Sequence, residues 1–196
     1  MIQDKRGRKS VIVAHCILNQ NSRVQGKAYY AGMINEIVDV MRKHEVGVIQ
    51  MPCPELTYAG LLRPSQTREQ YDTPAFRRHC RQIASSTVDQ VEKYVRNGFK
   101  VLAILGVEGS PTCGVEEANL GILMEELQSK LKKRKVEVPM KDVSHTSAGQ
   151  DAAWLEKILT RGLQVKKCYS RLHKQKHVLA CFYHPVSKGS DVLDFH

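Results

Sequence analysis

Three short runs of branched apolar residues, separated by stretches with helical periodicity, constrain this chain more than any other feature. Lys9 to His15, Val46 to Met51 and Val101 to Leu105 each read as a strand buried on both faces. Each run empties directly into a polar segment punctuated by Pro, Gly or Asn. Between them, Met33, Ile34, Ile37, Val38 and Met41 recur at helical spacing, and Phe76, Ile83, Val88, Val91, Tyr94 and Val95 mark a long helix that Asn97 and Gly98 end. Further along, the pattern predicts a helix over Leu120 to Leu131, a strand over Val136 to Val143 and a helix over Ala152 to Leu163. The basic stretch Lys166 to His177 then leads into HVLACFYHP, read as a last strand. Strands alternating with helices in this way predict an α/β, three-layer Rossmann-like fold with a mostly parallel sheet.

A length of 196 residues suits one such domain over 1–196. No apolar run approaches the roughly 20 residues a bilayer span needs, which excludes membrane-spanning roles at the level of sequence. The opening MIQDKRGRKS lacks the apolar core of a signal peptide, so a cytoplasmic location is expected. In that compartment six cysteines are not expected to form a disulfide framework, which leaves core packing, metal binding or nucleophilic catalysis.

In a parallel sheet, ligands bind in the crevice beyond the carboxyl ends of the strands. Three of the six cysteines fall there: Cys16 after the first predicted strand, Cys53 after the second and Cys113 in the loop after the third. Adjacent strands lie about 4.8 Å apart, so loops leaving three neighbouring strand ends can bring three thiolates to one small inorganic centre. Each cysteine can equally be a small buried hydrophobe. Without a CxxC pair a zinc ribbon is disfavoured, although three thiolates and a water can hold zinc. An iron–sulfur cluster fits thiolate ligands better, and with three of them a [4Fe-4S] cube keeps one iron open as a Lewis acid.

The segments AHCILNQNSRVQG, MPCPE followed by GLLRP, and GVEGSPTCG resemble the three signature stretches of the thiouracil desulfidase family. The resemblance spans Ser10 to Val143, leaving 144–196 as a basic C-terminal part of the same domain. It implies that Cys16, Cys53 and Cys113 hold a [4Fe-4S] cluster through three irons while the fourth takes the sulfur of a thiolated pyrimidine. It also implies that Glu55 is the acid/base carboxylate and Ser110 a substrate-positioning hydroxyl. The chain departs from the family pattern at Asn19, Ser22, Val24 and Gln25, and Thr112 stands where serine is usual, which marks a divergent branch whose substrate need not be thiouracil itself. Thr112, with Arg23 and Arg63 in the first two loops, is assigned to substrate; the two arginines suit a carboxylate or phosphate.

Glu108 is a second candidate carboxylate, and His15 a candidate for tuning the cluster or donating to substrate. Arg77, Arg78, His79 and Arg81 are expected mostly to face water; Cys80, Cys168, Cys181 and Trp154 are read as core. Charge is uneven: 16 basic and 14 acidic residues lie between Met1 and Ser129, against 14 and 6 from Lys130 to His196. A solvated surface explains that excess, and a nucleotide or RNA contact is the alternative. The leading reading is therefore a desulfidase that removes sulfur hydrolytically from a small thiolated compound. Its competitors are a nucleic-acid-associated protein with a structural or redox-sensing metal centre, and a zinc or thiol-redox protein.

Overall fold

A computed structural model describes the backbone of residues 3–172 and the side chains of residues 3–162. Four strands form one sheet in the order β2-β1-β3-β4, with every neighbouring pair parallel. They are β1 (Lys9–Ala14), β2 (Gly47–Met51), β3 (Lys100–Val107) and β4 (Met140–Val143). Helices α2 (Asn35–Lys43) and α7 (Ala148–Leu172) pack on each other, as do α5 (Pro74–Arg96) and α6 (Ile122–Lys133), giving helix layers around the sheet. Short helices α1 (His15–Leu18), α3 (Pro54–Ala59) and α4 (Arg68–Tyr71) occupy the connections. The fold is thus the α/β Rossmann-like arrangement that the alternating pattern predicts.

The central strand β1 explains why its sequence reads as an uninterrupted apolar run: Val11, Ile12, Val13 and Ala14 have no exposed surface. A parallel strand covered on both faces by helices needs apolar side chains pointing both ways. The second run behaves differently. β2 lies at the sheet edge, where Ile49 and Met51 are buried but Val48 and Gln50 are exposed. Successive side chains point to opposite faces, so at this edge one face of the strand is packed on the core and the other meets water.

Pro74 begins α5 where its missing N–H costs nothing, and the Thr73 hydroxyl accepts from Phe76 N at 3.2 Å. The stripe Phe76, Cys80, Ile83, Ala84, Thr87, Val88 and Val91 is buried, and the helix ends at Asn97 before Gly98, whose φ of +75° suits a glycine. The basic cluster on this helix is more engaged than expected. Arg77 pairs with Asp72 and Glu125, Arg81 with Glu126, and His79 Nε2 lies 2.7 Å from the Thr57 hydroxyl. Arg78 and Arg81 are exposed as expected, whereas Arg77 and His79 are half-buried. The cause is α6, which packs against α5 and presents Glu125 and Glu126 to it.

The fourth strand is shorter than predicted, because Pro139 cannot donate to a ladder and pairing begins after it. Helix α7 is longer, starting at Ala148 and running through the first part of the basic stretch to Leu172. Trp154 packs against the core from a half-buried position, while Cys80 is fully buried. The HVLACFYHP strand, Lys174, Lys176 and Cys181 lie outside the described residues, as does the side chain of Cys168. Among the described residues no helix is long and apolar enough to cross a membrane.

Candidate functional site

The chain passes from β1 to β2 on one side and then crosses to β3 on the other side of β1. That reversal opens a crevice beyond the carboxyl ends of β1 and β3, where ligands bind in folds of this kind. A cavity of about 370 Å³ lies there, and Cys16, Cys53 and Cys113 all line it.

Each cysteine is fixed by its own local device. Cys16 sits in α1, one residue beyond its start, and its carbonyl accepts from the buried Gln20 side chain at 2.6 Å. Cys53 is the N-cap of α3; its sulfur accepts from Leu56 N at 3.5 Å, its carbonyl accepts from the Thr57 hydroxyl at 2.8 Å, and Pro54 fixes the first helical φ. Cys113 lies in a loop clamped from three sides. The Ser110 hydroxyl accepts from Cys113 N at 3.0 Å, and the first amides of α6, from Ile122 and Leu123, donate to the carbonyls of Pro111 and Thr112. Asp142 on β4 accepts from Val115 N and Glu116 N. Gly106 and Gly121 let this loop close: a Cβ at Gly106 would overlap the Cys113 carbonyl oxygen, and one at Gly121 the Thr112 carbonyl.

Glu55 and Arg63 form a buried ion pair, with Arg63 Nε 3.2 Å from Glu55 Oε2. The Thr112 hydroxyl donates to the other oxygen, Oε1, at 2.8 Å, and lies 3.3 Å from the Ser110 hydroxyl. Glu55, Thr112 and Ser110 thus make one polar wall of the cavity, reaching from the second loop to the third. Arg63, which also lines the cavity, places three further donors within the protein: Nη1 on the Gly60 carbonyl at 3.2 Å, and Nη2 on the Ser22 carbonyl at 2.9 Å and Cys53 Sγ at 3.9 Å. Arg23 remains at the mouth, its guanidinium 5.7 Å from the centre of the Tyr29 ring. Glu108 lines the rim and is exposed; His15 is not among the residues lining the cavity.

Burial drives all three thiols away from ionisation. Cys16 is pushed up to about 11 by desolvation, with Cys53 and Glu55 adding to the rise and Arg23 opposing it. Burial also raises Cys53, although the Leu56 amide and Arg63 pull it back, and Cys113 is driven well above the ordinary thiol range by burial and then by Cys53 and Cys16. Thiols held protonated by desolvation are poor nucleophiles. Three of them around one cavity instead suit a cationic group that displaces their protons on binding. Among the described residues no three His, Cys, Asp or Glu side chains are placed to hold one metal ion together. A [4Fe-4S] cube asks for less convergence, because each sulfur meets a different iron. The donor set and the cavity fit that group.

His145 and Tyr29 escaped the sequence reading. Their rings stack 3.6 Å apart and 3° from parallel at the cavity mouth, with Arg23 over Tyr29. His145 follows β4 by two residues, so the strand-end rule that located the cysteines also locates it once the fourth strand is included. Asp142, the support of the Cys113 loop, carries no sequence signal, since a lone Asp in a short strand says nothing about which amides it will meet.

A family model described as "Putative 2-thiouracil desulfurase" matches residues 8–121, a span that holds all three cysteine loops. An uncharacterized protein of the archaeon Methanocaldococcus jannaschii is 39% identical over 128 residues, covering 65% of this chain and 81% of that relative. No solved structure matches the chain.

Proposed function

The chain belongs to the 2-thiouracil desulfurase family, and from that premise we propose that it removes sulfur hydrolytically from a small thiolated compound, using a [4Fe-4S] cluster held by Cys16, Cys53 and Cys113. The observation that carries this reading is the meeting of those three thiols with the Glu55–Thr112–Ser110 wall in one cavity at the switch point of the sheet. When bound, the cluster supplies a Lewis-acidic iron without a protein ligand, which accepts sulfur and makes the thiocarbonyl carbon electrophilic.

The protein's own residues supply the rest. In the reaction water adds its oxygen to the thiocarbonyl carbon, the carbon–sulfur bond breaks, and the products are a carbonyl compound and hydrogen sulfide. Glu55 takes a proton from the incoming water and returns one towards the departing sulfur; Thr112 and Arg63 hold its two oxygens so that the carboxylate keeps one orientation throughout. The Ser110 oxygen accepts from the Cys113 amide, and because the Thr112 proton goes to Glu55 the Ser110 proton faces the Thr112 oxygen at 3.3 Å, a long contact that it exchanges for substrate on binding. Arg23, at the mouth, meets the end of the substrate remote from sulfur. With Arg63 turned inward, Arg23 is the arginine we assign to a substrate anion.

The test is sulfide release from anaerobically prepared protein incubated with 2-thiouracil, other thiolated pyrimidines and their nucleotides, with the desulfurated product followed by chromatography. Stoichiometric formation of sulfide and the matching carbonyl compound from at least one of them supports the reading. Protein that carries iron yet releases sulfide from none of them overturns it.

A further inference from the structure

The three cysteine sulfurs differ in the donors that reach them, and among the described residues Cys53 alone has a guanidinium within hydrogen-bond reach. Cys53 Sγ accepts from Leu56 N at 3.5 Å and from Arg63 Nη2 at 3.9 Å. Cys113 Sγ has the Thr112 hydroxyl at 3.6 Å, and that hydroxyl has the shorter bond to Glu55. Among the described residues no hydrogen bond reaches Cys16 Sγ. Arg63 is also the residue that ties the first loop to the second, through the Ser22 carbonyl and Glu55, with only 5% of its surface exposed. A lysine has neither the fork nor the five donors to meet Glu55, Gly60, Ser22 and Cys53 together.

We propose that Arg63 is a positioning residue acting through Cys53: it sets that thiolate apart from the other two ligands and raises the reduction potential of the cluster. This rests on the cluster reading above. The potential of a protein-bound cluster follows net charge, hydrogen bonds to its sulfurs and solvent exposure. Reduction adds one electron, and a cation beside a ligand sulfur stabilises the more negative, reduced form, most strongly where water is excluded. Glu55 opposes this, because its carboxylate shares the same guanidinium. Arg63 therefore divides one charge between the proton-handling carboxylate and a cluster ligand, and the two anions compete for it. Removing Glu55's charge releases more of Arg63's field to the cluster; removing Arg63's charge withdraws it.

The experiment is an anaerobic redox titration, followed by visible absorption and electron paramagnetic resonance, of cluster-loaded wild type, Glu55→Gln and the double variant Glu55→Gln/Arg63→Met. The double variant removes both charges, so no unpaired carboxylate remains to unfold the protein. Glu55→Gln should titrate at a higher potential than wild type. Adding Arg63→Met should lower it from there, by about a tenfold change in the ratio of reduced to oxidised cluster at fixed potential, 59 mV for a one-electron couple. A double variant that holds its cluster but titrates at the potential of Glu55→Gln overturns the inference and leaves the proposed function standing, even if the variant melts earlier. A wild-type protein that takes up no cluster overturns both.

Discussion

Methionine in place of Arg63 keeps much of the side chain's length and bulk but removes the cation facing Glu55 in a pair that is 8% and 5% exposed. Glu55 Oε1 keeps the Thr112 hydroxyl, whereas Oε2 is left without its partner and the Ser22 carbonyl loses the 2.9 Å bond from Nη2. Breaking one side of a buried ion pair costs about 3–5 kcal/mol, because the surviving charge stays desolvated and uncompensated. The retained Thr112 bond places this case at the low end, about 3 kcal/mol. At about 2–4 °C per kcal/mol for a chain of this size, the metal-free protein should melt about 6–12 °C earlier, measured by circular dichroism at pH 7. The double variant Glu55→Gln/Arg63→Met should recover at least half of that loss, since no lone charge remains. A single variant melting within about 2 °C of wild type, or a double variant no more stable than the single, would refute the assignment of Glu55 and Arg63 as a buried, mutually dependent pair.

Three further outcomes are expected. Glu55→Gln should retain iron and fold but lose turnover by about a hundredfold or more, the scale for a lost general acid or base, as read by sulfide release; full turnover would move proton handling to Glu108 or to water. Gly106→Ala drives a methyl group into the Cys113 carbonyl, the Val115 side chain and the Asp142 carboxylate, so it should cost about 1–3 kcal/mol in the melt and reduce iron uptake, while Gly149→Ala, with open space around its Cα, should do neither. Neutralising Lys166, Lys167, Arg171, Lys174 and Lys176 together should change activity equally on a free thiolated base and on its monophosphate; a loss confined to the monophosphate and steep in salt would assign those residues to phosphate.

The parts of this molecule that were legible in its sequence share a cause. β1 reads correctly because Val11 to Ala14, buried on both faces, has no polar position to blur its pattern. α5 reads correctly because its apolar stripe from Phe76 keeps helical spacing and Asn97-Gly98 closes it, a local chemistry that packing does not override. The cysteines could be placed because strand-end loops in a parallel sheet converge whatever their composition. The apolar run of β2 concealed that it is an edge strand, since strand order is set by the crossover and not by the run itself. Arg63 posed a different difficulty. An arginine in a loop beside a metal-ligand motif suggests substrate binding, and only the folded positions of Glu55, Gly60 and Ser22 show that most of its donors already have partners within the protein while it lines the cavity. The Tyr29–His145 stack joins residues more than a hundred positions apart with no shared periodicity, so no window along the chain contains it.

The most direct measurement is iron and acid-labile sulfide per chain in protein prepared without oxygen, for the wild type and for Cys16→Ala, Cys53→Ala, Cys113→Ala and Cys80→Ala. Wild type and Cys80→Ala should each carry about four iron and about four sulfide with the brown absorption of a [4Fe-4S] centre, and each of the other three variants should lose most of it. A colourless wild-type protein with no iron, or one zinc, or a cluster that survives alanine at Cys16, Cys53 and Cys113 in turn, would contradict the assignment of these three residues as its ligands.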